Sequence, residues 1–341
     1  MSNEARIPGP PTATGELVDT FGRVADDLRI SVTDRCNLRC MYCMPADGLP
    51  WLPRKELLTF EEITRLARIF VGLGVRTIRI TGGEPLVRHG LVDLVGMLAE
   101  VDPRPELALT TNGVLLSEWA GPLASAGLDR VNVSVDSLRP DRNLEITRRP
   151  DLERTLAGLE AACDAGLTPV KVNCVVIRGT NDDEIADFAT WAEEHGYQVR
   201  FIEYMPLDAD GRWVEGDVFT AEEMLETLGE AGFRPRRRDV AERDPAARYS
   251  LGDDGEVGII PSVSAPFCSS CNRLRITAEG ALRTCLFALD ETDLRGPLRA
   301  GAEAGEIEAL VRKAVWGKWE GHHIGRSDFE RPDKSMSQIG G

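Results

Sequence analysis

The chain has 341 residues, 42% hydrophobic and 28% charged, a balance that suits one large globular domain or a domain with an extension. Its formal net charge of −16 argues against nucleic acid or an anionic membrane surface as a partner, because both call for basic patches. No run of about 18 apolar residues is present, so no membrane span is expected. Residues 1–18 read as a flexible tail, since their first part is rich in Pro, Thr and Gly and has no secretory pattern. Eight cysteines without a signal peptide point to metal or redox chemistry in a cytoplasmic protein, not to a disulfide framework.

In chain order, residues 28–33 read as a strand, and Cys36, Cys40 and Cys43 follow at once. Three thiolates at this C-x3-C-x2-C spacing can hold three corners of a [4Fe–4S] cube and leave its fourth iron open. A zinc site or chance clustering is the alternative, and zinc would need a fourth ligand that the neighbouring residues do not offer. Residues 59–73 read as a helix with Ile63, Leu66, Ile69 and Phe70 on one stripe, opened by a capping box of Thr59 and Glu62. Further strands are expected over 75–81, 107–111, 130–135, 169–177 and 197–204. Helices are expected over 91–100, 115–126 and 151–165, and two more open with capping boxes at Asn181 and Glu184 and at Thr220 and Glu223. Six strand–helix units imply parallel strands with right-handed crossovers. The expected fold is therefore α/β, a partial (β/α)6 parallel barrel with ligands at the carboxyl ends of its strands.

Side chains alternate between the two faces of a strand. Arg29 with Ser31, Arg79 with Thr81, Asn132 with Ser134 and Asp136, and Lys171 with Asn173 would then line the barrel interior. Cations converging there suggest an anionic ligand, with a mutually paired internal network as the alternative. Beyond Gly232, the run with Arg236, Arg237 and Arg238 reads as a solvated boundary. It divides a core (19–235) from a C-terminal region (236–341). That region holds strand-like runs at 248–251 and 257–260 and a second three-cysteine set, Cys268, Cys271 and Cys285. A second cube with an open iron is the natural reading, and zinc completed by a distant His is the alternative. Arg273 and Arg275 share one side of an extended segment and suit bidentate grips on phosphate or purine oxygens. Cys163 and Cys174 read as buried small hydrophobes, and His322 with His323 as a solvated pair.

These motifs resemble those of a known family. Cys36, Cys40 and Cys43 with Tyr42, and Gly82-Gly83-Glu84-Pro85 after the second strand, resemble the signatures of the radical S-adenosylmethionine (SAM) enzymes. Residues 28–36, the second cysteine set, Arg273, Arg275 and the Gly340-Gly341 end resemble the GTP 3′,8-cyclase family of molybdenum-cofactor biosynthesis, from residue 17 to the end. The resemblance implies two [4Fe–4S] clusters and SAM as cofactors and GTP as substrate. Reductive cleavage of SAM gives methionine and a 5′-deoxyadenosyl radical, which takes the hydrogen at C3′ of GTP. C3′ then attacks C8, and a further electron and proton complete (8S)-3′,8-cyclo-7,8-dihydroguanosine 5′-triphosphate.

The resemblance also implies residue roles. Cys36, Cys40 and Cys43 hold the first cluster. Cys268, Cys271 and Cys285 hold the second, whose open iron binds guanine. Tyr42, Gly83, Ser134 and Met205 contact SAM. Arg29, Arg79, Thr110, Lys171, Arg200, Arg273 and Arg275 contact GTP. Arg29 and the tail residues Gly340 and Gly341, which enter the active site, belong to the catalytic set. Thr77 stands where several relatives are expected to carry Lys, which removes a possible phosphate contact. The implied partners are a flavodoxin- or ferredoxin-like reductant, a downstream pterin synthase that takes the product, and a second copy in a homodimer. Two other readings compete: a two-cluster enzyme acting on peptides, and an iron–sulfur carrier or zinc module. The first calls for more cysteines near the C-terminus, and the second leaves GGEP and the strand cations unexplained.

Overall fold

The structure is a computed structural model that describes residues 15–239, 244–252 and 255–340. Residues 1–14 of the tail expected over 1–18, and Gly341, lie outside the described residues. The six expected strands form as β1 (Asp27–Ser31), β2 (Thr77–Thr81), β3 (Glu106–Thr111), β4 (Arg130–Ser134), β5 (Lys171–Val176) and β6 (Gln198–Glu203). They pair in parallel, each with the next. The helices that cross between them are α1 (Phe60–Gly72), α2 (Leu91–Ala99), α3 (Leu116–Ser125), α4 (Pro140–Thr147), α5 (Leu152–Asp164) and α6 (Ile185–His195), and α7 (Ala221–Glu230) follows β6. One face of the sheet packs under these helices. Leu28, Ile30, Ile78, Ile80, Val131 and Phe201 are buried there against Leu66, Phe70, Leu94, Leu123 and Phe188. Each such side chain contributes about 1.5–3 kcal/mol when removed from water. That drives the polar alternates to the opposite, interior face.

The C-terminal region extends this sheet. Its strands are β7 (Arg236–Arg237), β8 (Ala247–Ser250), β9 (Glu256–Ile260), β10 (Arg273–Ile276), β11 (Ala281–Arg283) and β12 (Thr292–Asp293). β9 lies parallel to β6, and β10 lies parallel to β1. The twelve strands run β12-β11-β10-β1-β2-β3-β4-β5-β6-β9-β8-β7, so the barrel is left open. The composition shift at residue 236 is thus not a break in the sheet. At the other end, Leu17 is already in the core and Val18 bridges Val24. The last helices are α8 (Arg295–Arg299), α9 (Ala304–Trp316) and α10 (Met336–Ile339). No helix among the described residues is long and apolar enough to cross a membrane.

The capping boxes at Thr59 and Thr220 form as expected. The one expected at Asn181 and Glu184 does not. A short 3-10 turn, Asp182–Glu184, precedes α6. Asn181 accepts from Ile177 N and donates to the carbonyls of Asp136 and Val175. Glu184 accepts from Ser137 Oγ and Leu138 N. Both side chains satisfy the buried connection after β4, where orphaned backbone groups cost more than an uncapped helix start. Helix α4 was not expected. Its sequence is polar and buries only Asn143, Ile146 and Thr147, too little for an apolar stripe. Cys174 is buried as expected, whereas Cys163 is only half-buried at the edge of the same core.

Candidate active site

The interior face opens into a cavity of about 420 Å³ that all six cysteines of the two sets line. The first set sits on a loop seated by GGEP. Gly83 N donates to Thr33 O, and Glu84 N to Arg35 O. A Cβ at Gly82 would lie 2.6 Å from Thr33 O, and one at Gly83 would lie 2.5 Å from Arg35 O and 2.6 Å from Asp34 O. Only glycine lets the two segments approach this closely. Asp34 accepts from Leu52 N at 2.6 Å, which fixes the far side of the loop. Glu84 accepts from Leu86 N, Thr111 Oγ1 and Asn112 N. Burial raises its carboxyl to about 7 against those hydrogen bonds. Glu84 therefore shapes the seat and joins it to the end of β3.

The three thiols of this loop feel one another. Burial, then Glu84, pushes Cys36 up to about 12, and burial raises Cys43 to about 11. Burial, then Asp136 and the other two thiols, raises Cys40 as well. A bound metal centre reverses that penalty by taking thiolates as ligands. The donor set of three thiols around shared space fits a four-iron cube.

The second set lines the same cavity. Arg23, paired with Asp19 at 2.6 Å, donates to the carbonyls of Cys268, Trp319 and Glu320. Arg283 pairs with Glu291 at 2.6 Å and donates to Ala288 O, bracing the turn after Cys285. Burial opposes ionisation of Cys271, yet Arg273 and Lys318 outweigh it and hold the thiol down to about 6. His322 departs from the expected solvated pair. Its ring packs on Phe287, its Nε2 lies 2.8 Å from Ser262 O, and its Nδ1 accepts from Ile324 N. Both ring nitrogens are engaged, so His322 is part of the wall and not a metal ligand. His323 pairs with Asp328 at 3.0 Å.

Register assembles the cations. Arg275, Arg29 and Arg79 stand opposite one another on β10, β1 and β2. Arg130 continues the row beyond Ala108. Thr110 and Lys171 flank Asn132, and Arg200 stands beside Asn173. Arg130 has Glu106 at 2.5 Å, and Arg200 has Asp244 at 3.9 Å. Among the described residues, Arg29, Arg79, Arg273, Arg275 and Lys171 have no carboxylate at ion-pair distance. The Nε atoms of Arg29 and Arg79 are buried without a partner. Burial first, then Arg273 and Arg79, lowers Arg29 to about 9; burial, then Arg200 and Arg130, lowers Lys171 to about 7. A mutually paired network would not leave this many cations unmatched, whereas an anionic ligand satisfies them.

The chain end enters the same space. Arg275 Nη1 donates to Gly340 O. Gly340 adopts φ +88°, and a Cβ there would lie 3.1 Å from Ser31 Cβ and from Thr81 Cγ2. Ile339 is buried with Leu207 and Phe287. Tyr42, Gly83, Ser134 and Met205 border the cavity, as do Thr110, Arg200 and Arg273. Thr77 is not among the lining residues; its Oγ1 donates to Glu106 Oε2 at 3.2 Å. Arg130 was missed, although its spacing from Asn132 and Ser134 already placed it on the interior face. Arg23 and Lys318 carried no local signal.

Comparison with known proteins agrees with this geometry. The Radical SAM superfamily matches residues 30–192, and Molybdenum Cofactor Synthesis C matches residues 197–324. A GTP 3′,8-cyclase of Streptomyces coelicolor is 52% identical, over 95% of this chain and 96% of its own length. GTP 3′,8-cyclase 2 of Mycobacterium tuberculosis is 51% identical, over 96% of this chain and 93% of its own. The crystal structure of Streptococcus suis SuiB shares the fold, with a TM-score of 0.57 and 14% identity over 92% of this chain and 77% of that one. An open parallel barrel with a three-cysteine loop on a GGEP seat defines a radical SAM enzyme. Its second cysteine set and near full-length relatives narrow this further: the chain belongs to the GTP 3′,8-cyclase family.

Proposed function

We infer that the protein converts GTP to (8S)-3′,8-cyclo-7,8-dihydroguanosine 5′-triphosphate, the first step of molybdenum-cofactor biosynthesis, with two [4Fe–4S] clusters and SAM as cofactors. The observation that carries this reading is two three-cysteine sets lining one cavity together with Arg29 and Arg79, whose Nε atoms are buried without a partner. When bound, the clusters and SAM supply the one-electron chemistry that makes a carbon radical. The chain's own residues bind, orient and exclude water. Cys36, Cys40 and Cys43 hold the first cluster within residues 19–235, and Cys268, Cys271 and Cys285 hold the second within 236–341. Tyr42, Gly83, Ser134 and Met205 border SAM, with Met205 as a soft apolar contact. Arg29, Arg79, Lys171, Arg200, Arg273 and Arg275 neutralise the triphosphate and orient the nucleotide, beside Thr110. Arg275 also places Gly340 beside Ser31 and Thr81, and Gly340 and Gly341 belong with Arg29 to the catalytic set.

The protein acts in the cytoplasm, where thiols stay reduced. It takes electrons from a flavodoxin- or ferredoxin-like reductant, passes its product to a pterin synthase, and forms a homodimer. Anaerobic incubation of the iron–sulfur enzyme with dithionite, SAM and GTP tests the assignment. 5′-Deoxyadenosine is expected only with GTP, and not with ATP. Equal formation with ATP, or with no nucleotide, would overturn it.

A further inference from the structure

Lys318 lies just beyond α9 and is 4% exposed. Its Nζ donates to the carbonyl oxygens of Cys271 and Arg273, each at 3.0 Å, and stands 3.6 Å from Cys271 Sγ. No carboxylate among the described residues reaches it. The charged groups that bear on it are Cys271 and Cys285 on one side and Arg23 and Arg273 on the other. Of the other buried cations near this set, Arg23 and Arg283 are neutralised by Asp19 and Glu291, whereas Arg29 and Arg275 line the cavity on the substrate side. A buried ammonium held only by two carbonyls and a sulfur lacks its counter-charge. Arg273 also approaches Cys271 Sγ, at 3.6 Å, but it fronts the cavity, whereas Lys318 sits behind the loop and is not a lining residue.

The first set has the opposite surroundings. Glu84 bears on Cys36, and Asp136 on Cys40 and Cys43, with Arg39 as the cation near Cys36. A four-iron cube held by three thiolates carries net negative charge, and reduction adds one electron to it. Charge and hydrogen bonds at the sulfurs are what set such potentials.

We propose that Lys318 is the fixed counter-charge of the second cluster: it positions the Cys271 turn through two carbonyl hydrogen bonds and raises that cluster's reduction potential relative to the first. The step concerned is a one-electron reduction by the external reductant. Lys318 is a positioning residue and touches no substrate. The proposal rests on Cys268, Cys271 and Cys285 holding a cluster.

The test is an EPR-monitored redox titration of the two-cluster enzyme, comparing parent, Lys318→Met and Lys318→Arg. The second cluster is recognised as the signal that GTP, and not SAM, perturbs. Lys318→Met is expected to make that cluster about tenfold harder to reduce, a shift of about 59 mV for one electron. The first cluster should not move, and Lys318→Arg should stay near the parent. If Lys318→Met assembles only the first cluster while Lys318→Arg holds about eight irons, the charge requirement is equally established. An unshifted potential in Lys318→Met overturns the role, and so does an equal effect of both variants. A parent with only about four irons sinks the cluster assignment beneath the proposal, and the proposal with it.

Discussion

Tyr42 Oη donates to Asp136 Oδ2 at 2.7 Å, a bond that ties the loop of the first cysteine set to the carboxyl end of β4. Asp136 also accepts from Val175 N at 2.9 Å, so one buried carboxylate joins the loop, β4 and β5. Tyr42→Phe leaves that carboxylate short of a donor while keeping the ring. The unfolding free energy of the apoprotein should fall by about 1–3 kcal/mol, measured by urea denaturation. An unchanged midpoint would mean that the bond contributes nothing.

Gly83 is held to glycine by backbone on the opposite loop, which cannot move as a side-chain tip can. Gly83→Ala should cost about 1–3 kcal/mol through overpacking, with the strain falling on residues 34 and 35 beside Cys36. Iron content after reconstitution should drop towards half, because the second set is remote from the strain. Full iron loading with normal SAM affinity would contradict this.

The cation row predicts a split between stability and binding. Arg29→Met removes a buried charge flanked by Arg79 and Arg273. The empty protein should unfold no more easily than the parent, since like-charge repulsion and an unpaired donor both disappear. GTP affinity should fall about 10- to 100-fold, as expected for a lost charged hydrogen bond. Calorimetric binding and thermal melting without nucleotide separate the two effects. A large loss of stability with little loss of affinity would favour the paired-network reading.

Lys171 sets a pH dependence. Burial beside Arg200 and Arg130 holds its ammonium down to about 7 in the empty site, and a bound triphosphate raises it. Binding therefore favours the protonated form. Affinity for GTP is full below about pH 7 and falls as pH rises through it, by up to about tenfold per unit. Lys171→Arg should flatten the profile, because a guanidinium keeps its proton. Equilibrium binding across that range checks both, and a flat parent profile would remove Lys171 from the anion site.

Much of the fold was legible because its signals are local. Alternation along 77–81 or 130–134 needs only neighbouring residues, and a capping box such as Thr59 with Glu62 spans four. The same pattern at Asn181 and Glu184 misled, because the Asp136 carbonyl and Ser137, far off in sequence, claimed those side chains. Helix α4 had no apolar stripe to reveal it. His322 looked like a solvated tail residue until Ser262 and Phe287 were placed around it.

The sequence by itself determined the thiol spacing of both cysteine sets, the glycine seat and the interior alternation of cations, since each is set by covalent spacing and strand period. Only the tertiary structure decided that β10 joins β1 and β9 joins β6. Those pairings bring Arg275 into register with Arg29, place Lys318 against Cys271, and bring Cys268, Cys271 and Cys285 to the cavity that Cys36, Cys40 and Cys43 line. The reason is physical: sheet edges are claimed by whichever segment satisfies their hydrogen bonds and buries the apolar face, and here Arg273 on β10 lies 246 residues beyond its partner Asp27, and Val257 on β9 lies 58 beyond Val199.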